Sequence, residues 1–191
     1  MRLFYASFLD SANMLAYESL VTEISTAVPG VIRPIPARSH HLTMAFLGEI
    51  GDEDLDQSLQ ALESTASSQA FDFFLTRPRI LYARRSPRLI CSDVEEGAER
   101  ISSLQALLRE SILRRFPKSQ IRAQSPHITL ARFKRNARPR TAQPVSDALS
   151  GLAESTLPKS DRLTSVHLVK STLASSGPVY ESLAEAHLRT G

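Results

Sequence analysis

Two short segments decide the fold of this chain, Ser39-His40-His41-Leu42-Thr43-Met44 and Ser125-Pro126-His127-Ile128-Thr129-Leu130. Each contains a histidine, a threonine two residues later, and apolar residues between and after them. The second histidine follows the first by 127 − 41 = 86 residues, in a chain of 191 residues. One copy in each half predicts a single domain, residues 1–191, of two intertwined and related lobes, each with one His-x-Thr pair.

The residues around these segments alternate between the patterns of strands and helices. We expect helices over 10–28, 52–66, 95–116 and 141–151, where apolar residues recur at helical spacing. We expect strands over 2–8, 40–47, 71–75, 79–82, 88–94, 127–133, 163–170 and 179–188, with turns at 84–87 and 175–178. The short loops favour antiparallel pairing. They predict an α+β fold with antiparallel sheets and helices outside; the alternative, a doubly wound parallel fold, lacks its glycine fingerprint here.

Composition limits the class of protein. With 42% hydrophobic and 23% charged residues, the chain is typical of a soluble globular domain and not of a disordered one. No apolar run reaches the roughly 20 residues that span a bilayer, and the start of the chain is interpreted as a strand, not a signal peptide. The one cysteine, Cys91, excludes an internal disulfide and a cysteine zinc cluster and is compatible with the cytoplasm, the location that we expect. A net charge of +3 permits a polyanionic ligand.

The two His-x-Thr pairs suggest phosphoryl chemistry. Residues i and i+2 of a strand point to one face, so His41 lies beside Thr43, and His127 beside Thr129. If the lobes pack about a pseudo-twofold axis, the pairs face each other across one groove. One imidazole can then take a proton from an attacking water while the other gives a proton to the leaving oxygen. The hydroxyls can hydrogen-bond the non-bridging phosphate oxygens. A single His-x-Thr pair is more often structural than functional. The presence of a second copy favours a functional role.

The longer segments 40–49 and 125–132 resemble the twin signatures of the 2H phosphoesterases. Within that superfamily they are similar to the bacterial and archaeal RNA 2',3'-cyclic phosphodiesterases, historically called 2'-5' RNA ligases. The resemblance extends from the start at 2–4 to the tail at 171–180. It implies a bilobal α+β fold with both motifs lining a central cleft. It also implies hydrolysis of RNA or nucleotide 2',3'-cyclic phosphate to a 2'-phosphate, with no metal and no cofactor.

The resemblance also implies roles for six residues. His41 would be the acid that protonates the departing O3', and His127 would activate water. Substrate-binding roles pass by the same resemblance to Thr43, Thr129, Phe46 and Arg132. The threonines would bind the phosphate, the phenylalanine would stack on the terminal base, and the arginine would lie near the nucleotide.

Strand periodicity does not by itself place Phe46 and Arg132 in the cleft. Each lies five residues after the histidine of its segment, and an odd offset puts a residue on the opposite face of an ideal strand. A bulge, or a position at the end of the strand, is needed to bring them back. For the same reason His40 is expected to face away from His41, as a structural or surface residue.

Basic residues form two clusters, Arg132, Lys134, Arg135, Arg138 and Arg140, and Arg77, Arg79, Arg84, Arg85 and Arg88. They would raise the affinity for RNA if they rim the cleft, and are otherwise solvated loops. Cys91, His167 and His187 are interpreted as structural. The expected partner is RNA with a 2',3'-cyclic phosphate end or a cyclic nucleotide, bound by a monomer without a membrane. Three alternatives stay open: 2'-5' ligation by the reverse reaction, a different cyclic or 2'-5' phosphodiester substrate, and a non-catalytic module that binds RNA ends.

Overall fold

The computed structural model describes residues 1–119, 121, 124–134, 137, 139–174 and 177–190. Within these residues the helices are α1 (Ser11–Ala27), α2 (Leu55–Glu63), α3 (Ala98–Arg115) and α4 (Pro139–Ser150). The strands are β1 (Arg2–Phe8), β2 (Ile32–Pro34), β3 (His41–Glu49), β4 (Phe71–Phe74), β5 (Arg79–Ala83), β6 (Ser86–Asp93), β7 (His127–Phe133), β8 (Ser160–Leu163), β9 (Ser165–Ala174) and β10 (Gly177–His187).

The strands form an antiparallel sheet in the order β10-β9-β1-β3-β7-β6-β5, with β2 paired to β7. Strands β4 and β8 form a separate antiparallel pair. Helix α1 follows β1 in the chain but contacts β2, β7 and α4, whereas α3 follows β6 and contacts β3 and α2. The α+β fold expected from the sequence is therefore confirmed, and each long helix packs mainly on strands other than the one that it follows in the chain.

Local signals in the sequence explain where the long helices begin and end. The Asp10 carboxylate accepts a hydrogen bond of 2.7 Å from the Asn13 amide and caps α1. Helix α3 begins after Gly97, whose φ of +84° is favourable only for glycine, and ends before Pro117. Its apolar stripe is buried against the sheet, at Ile101, Leu104, Leu108 and Ile112.

Several sequence predictions need correction. The strand expected over 163–170 is two strands, because Leu163 ends β8, which pairs with β4, and Ser165 begins β9, which pairs with β1. The turn expected over 84–87 has only two residues, Arg84 and Arg85, both at positive φ, because β6 already begins at Ser86. Strand β2 was not expected, since three residues show no period. In the turn expected at 175–178, residues 175 and 176 lie outside the described residues.

The two faces of the sheet are packed differently. Along β1, Leu3 and Tyr5 are fully buried in the main core under the helices. Phe4 and Ala6 alternate with them and belong to a small second cluster on the opposite face. Burying a large apolar side chain stabilises the fold by about 1.5–3 kcal/mol. The many buried side chains of the main core therefore hold the helices against one face of the sheet. The other face carries only this smaller cluster, and its open surface is called the groove below.

No helix of the described residues is long and apolar enough to cross a membrane. Cys91 is buried, as expected of a structural cysteine. His40 is also fully buried, and its ring lies 5.9 Å from that of Tyr17 on α1. Its burial lowers its pKa and keeps the imidazole neutral. The expectation that His40 faces away from His41 therefore agrees with the packing.

Candidate active site

The two His-x-Thr segments meet at one point of the sheet, where Leu42 of β3 pairs with Ile128 of β7. Both residues are buried in the main core on the helix side. Because residues alternate along a strand, the histidines and threonines that flank this pair lie on the other face. The antiparallel register sets His41 opposite Thr129 and Thr43 opposite His127. The four predicted residues are thus brought together on one surface, in an arrangement with local twofold symmetry.

Strand β3 contains a bulge directly after its threonine. The register of β3 against β1 shifts beyond Thr43, so that Met44 is an extra residue without a partner of its own. The shift reverses the alternation of faces. Phe46 therefore lies opposite Phe4, on the same face as His41. This bulge explains how Phe46, five residues after His41, lies on the same face of the sheet as His41.

Strand β7 repeats the bulge at the equivalent position. Its register against β6 shifts beyond Thr129 and leaves Leu130 as the extra residue. Arg132 thereby returns to the face of His127, just as Phe46 does in β3. The two strands also share one succession of buried and exposed residues over these positions. The symmetry thus extends beyond the central pairs, and it makes the phenylalanine and the arginine equivalent positions with different chemistry.

Both imidazoles are oriented by the same hydrogen bond. His41 Nδ1 lies 2.7 Å from the Ser39 carbonyl oxygen, and His127 Nδ1 lies 2.9 Å from the Ser125 carbonyl oxygen. A carbonyl oxygen only accepts, so Nδ1 carries the proton and donates it in each ring. Each Nε2 is then left to accept a proton when the ring is neutral, or to give one when the ring is charged.

Aromatic rings surround His41. Its ring centroid lies 5.2 Å from that of Phe4, 5.9 Å from that of Phe8 and 5.5 Å from that of Tyr180 on β10. Burial among these rings lowers the pKa of His41 to about 4, against the opposing effect of the hydrogen bond to the carbonyl. In the free protein this imidazole is therefore neutral at neutral pH.

The ends of the groove differ in chemistry. At one end the Phe46 side chain is 42% exposed, with its ring 5.6 Å from that of Phe4. At the other end Arg132 is exposed and lies directly opposite Arg33 of β2. An exposed aromatic ring offers a stacking surface for a base, and guanidinium groups offer charge for a phosphate.

Sequence reasoning did not assign to the site four residues that the fold brings to this groove: Arg33, Phe4, Phe8 and Tyr180. Little in the sequence indicates that these residues lie near His41 or His127. Tyr180 lies in the tail that contributes to the resemblance, and the phenylalanines alternate along β1, but nothing in the sequence joins them to His41. Arg33 lies in a strand that was not expected at all.

Part of the second basic cluster is used within the fold. Arg77 donates to the carbonyl oxygens of Leu149 and Ser150, each at 3.2 Å, and forms an ion pair with Glu154. Arg79 forms an ion pair with Asp93. These two guanidinium groups are therefore engaged by protein groups. In the first cluster, residues 135 and 138 lie outside the described residues.

His167 and His187 both contact side chains of this protein. His167 Nδ1 lies 3.0 Å from Ser182 Oγ, and its Nε2 lies 3.1 Å from Ser165 Oγ and 3.4 Å from Glu185. His187 lies 3.6 Å from the same carboxylate. Within the described part of the chain, no group of three or more His, Cys, Asp or Glu side chains is placed to hold a metal ion.

Comparisons with known proteins identify the family of this chain. A family model described as LigT like Phosphoesterase matches residues 93–180. The chain is 32% identical to the RNA 2',3'-cyclic phosphodiesterase of Thermus thermophilus over 196 residues, which cover 99% of this chain and 91% of that protein. The chain belongs to the LigT-like phosphoesterase family.

Solved structures of the family share the fold. The crystal structure of TT0787 of Thermus thermophilus matches with a TM-score of 0.74 at 27% identity, over 100% of this chain and 99% of that one. The apo form of Escherichia coli LigT matches with a TM-score of 0.66 at 25% identity, over 98% and 96% of the two chains. The α+β fold of this LigT-like phosphoesterase is thus that of known phosphoesterases along nearly its whole length.

Proposed function

We propose that this LigT-like phosphoesterase hydrolyses 2',3'-cyclic phosphate, at the end of an RNA or on a nucleotide, to a 2'-phosphate. The observation that carries the proposal is the pairing of Leu42 with Ile128, which sets two His-Thr pairs opposite each other on the open face of the sheet. A relative named as an RNA 2',3'-cyclic phosphodiesterase supports the substrate class. His41 and His127 are the proposed acid and base, with no metal.

The proposed reaction is a displacement at phosphorus between the two imidazoles. One neutral Nε2 accepts a proton from water as the water oxygen forms its bond to phosphorus. The bond from phosphorus to O3' breaks, and the other, protonated imidazole gives its Nε2 proton to that oxygen. The products are a 3'-hydroxyl and a 2'-phosphate. Thr43 and Thr129 donate hydrogen bonds to the non-bridging oxygens and hold the phosphorus in line.

The environment of His41 favours it as the proton acceptor. Its lowered pKa, about 4, makes the neutral form dominant at neutral pH in the free protein. His127 is then the proton donor. This assignment reverses the one that the resemblance implies, in which His41 protonates O3'. Both assignments give kcat/KM the same bell-shaped pH dependence, because in each of them one imidazole must be neutral and the other protonated. A substrate in which sulfur replaces O3' separates them, because a thiolate leaves without being protonated. Such a substrate should restore turnover to His127→Asn if His41 is the proton acceptor, and to His41→Asn if the assignment is the reverse.

The test is turnover of a short RNA that ends in a 2',3'-cyclic phosphate, with EDTA present. His41→Asn and His127→Asn keep a side-chain amide that can donate to the backbone carbonyl, but lose Nε2. Each is expected to lower kcat by at least about 100-fold, the usual contribution of a general acid or base. His187→Asn, at an exposed histidine, is the matched control.

Each outcome bears on a different part of the proposal. EDTA-resistant release of 2'-phosphate, lost in both variants, supports the two-histidine reaction. Wild-type turnover by both variants would refute it, and release of 3'-phosphate alone would refute the geometry of the breaking bond. If the wild type binds the RNA without turning it over, a different phosphodiester substrate or a binding module replaces the proposal.

A further inference from the structure

Arg33 and Arg132 lie directly opposite each other on the neighbouring strands β2 and β7. Directly opposite residues share a face, so Arg33 lies on the face of His127 and Thr129. Both arginines are exposed. Among the described residues, neither forms an ion pair with a carboxylate. Like charges in this position repel each other and destabilise a sheet, and an anion bound between them would relieve that repulsion.

The contact of Arg33 with the opposite half of the sheet places its guanidinium over the groove. Strand β2 belongs to the half with β7, whereas β10 belongs to the half with β1. A methyl group at Gly177 of β10 would lie 3.7 Å from Arg33 Nη1 and 3.8 Å from Arg33 Cζ. The same strand carries Tyr180 against His41, at 5.5 Å between ring centroids. The Arg33 side chain therefore reaches across the groove to the strand that covers His41.

The position of the arginine pair fits a phosphate one nucleotide away from the reacting one. Thr129 and Arg132 pair with Cys91 and Leu89, which lie two residues apart on β6, so the bulged segment spans about 7 Å along the strand at about 3.3 Å per residue. Phe46 lies at the other end of the groove. A terminal nucleotide can then stack its base at the Phe46 end, hold its cyclic phosphate at the histidines, and direct its 5' phosphodiester towards the arginines.

We propose that Arg33 and Arg132 form a subsite for the phosphodiester on the 5' side of the terminal nucleotide. Two guanidinium groups that bind one phosphodiester supply positive charge and several directed N–H donors. The subsite makes an RNA end a better substrate than a mononucleotide with the same cyclic phosphate. The inference rests on the proposed function, and it assigns to Arg33 a role that no motif in the sequence indicates.

The test compares adenosine 2',3'-cyclic phosphate with the dinucleotide ApA that ends in the same cyclic phosphate. Wild-type kcat/KM is expected to be higher for the dinucleotide. Arg33→Gln is expected to lower kcat/KM for the dinucleotide about three- to tenfold, and for the mononucleotide less than about twofold. Arg33→Lys keeps the charge and should retain part of the preference. Arg109→Gln, at an exposed arginine on α3, is the control for loss of one positive charge.

Two further measurements isolate the phosphodiester charge. Loss of one arginine–phosphate contact should weaken the dependence of kcat/KM on salt concentration for the dinucleotide and leave that for the mononucleotide unchanged. In a dinucleotide joined by an uncharged methylphosphonate, Arg33→Gln should have no more effect than in the mononucleotide. Equal losses on the charged and uncharged dinucleotides, or no dinucleotide preference in the wild type, would overturn the subsite.

Failure of the subsite and failure of the proposed function are distinguishable. If the wild type turns over both compounds equally, the proposed function stands and the subsite is refuted. If it turns over neither, the proposed function fails. Calorimetric binding of ApA with a 2'-phosphate, against adenosine 2'-phosphate, then decides the subsite: tighter binding of ApA that Arg33→Gln abolishes supports it, and equal binding refutes it.

Discussion

Replacing His41 by asparagine is expected to reduce the loss of stability of this protein in acid. The pKa of His41 is about 4 in the folded protein and about 6.5 in an unfolded chain. As the pH falls from 6.5 to 4, the unfolded chain binds a proton at this position that the folded protein does not bind. The stability associated with the neutral imidazole is therefore fully present above about pH 6.5 and is lost as the pH falls to about 4. At about 1.4 kcal/mol per pH unit, the loss amounts to about 3 kcal/mol.

The variant removes this titration while leaving the hydrogen bond in place. An asparagine amide can donate to the Ser39 carbonyl, which now accepts from His41 Nδ1. His40 and His167, whose pKa values are also lowered by burial, remain in both proteins, so their effects cancel in the difference. The measurement is the free energy of unfolding by urea at intervals from about pH 7.5 to about pH 4. Between these limits the wild type should lose about 3 kcal/mol more than the variant.

The prediction is refuted if the free energies of unfolding of the wild type and of the variant fall in parallel as the pH is lowered. If the wild type and His41→Asn lose the same free energy of unfolding over this pH range, His41 has an ordinary pKa in the folded protein. The argument from the aromatic rings to the neutral imidazole would then be wrong, and with it the assignment of His41 as the proton acceptor. A difference that continues to grow below about pH 4 would place the pKa even lower and leave the argument intact.

Three substitutions test the site and the fold separately. Thr43→Val removes a hydroxyl from the groove at constant shape, so kcat/KM should fall about tenfold or more while the urea midpoint changes little; unchanged kcat/KM would exclude a phosphate contact. Phe46→Ala should weaken binding of a cyclic nucleotide by about 1–3 kcal/mol, the usual cost of losing a base–aromatic stack, and Phe46→Tyr, which keeps a ring, should not. Gly97→Ala puts a methyl group 2.8 Å from Phe73 Cβ at a φ of +84°, so the free energy of unfolding should fall by at least about 1 kcal/mol, and an unchanged urea midpoint would contradict this.

Period-two alternation was sufficient to predict the centre of the site but not its ends. It placed each histidine beside its threonine correctly, because no irregularity lies between them. It failed after the threonines, because Met44 and Leu130 are bulged residues that reverse the alternation. A bulge is visible only in the register against a partner strand. The two segments therefore predicted which residues form the centre of the site. The pairing of β3 with β1 and of β7 with β6 determines the face on which Phe46 and Arg132 lie.

The arginine subsite and the covering of His41 depend on contacts between residues far apart in the chain. Arg33 meets Arg132 because β2 pairs with β7, and the ring of Tyr180 on β10 lies 5.5 Å from that of His41. The pairing of β2 does not follow from local pattern, since the strand has three residues, and the turn expected between the last two strands does not show which residue Tyr180 contacts. The sequence could show that the chain is basic, but not which basic residues remain free of carboxylates once the chain has folded.

The symmetry of the groove also explains why its ends are important for the direction of the reaction. A twofold arrangement of His-Thr pairs offers each imidazole the same choice between water and O3'. An asymmetric substrate must therefore be oriented by groups that break the symmetry. The equivalent positions Phe46 and Arg132 differ in this way, because one is an exposed aromatic ring, proposed to stack on a base, and the other is a guanidinium, proposed to bind a phosphate. The rings around His41 lower its pKa, and if His41 is the acceptor, as proposed, the substrate must place O3' towards His127. The orientation of the RNA and the assignment of acid and base are then one problem, and product analysis together with the substrate that has sulfur at O3' addresses both.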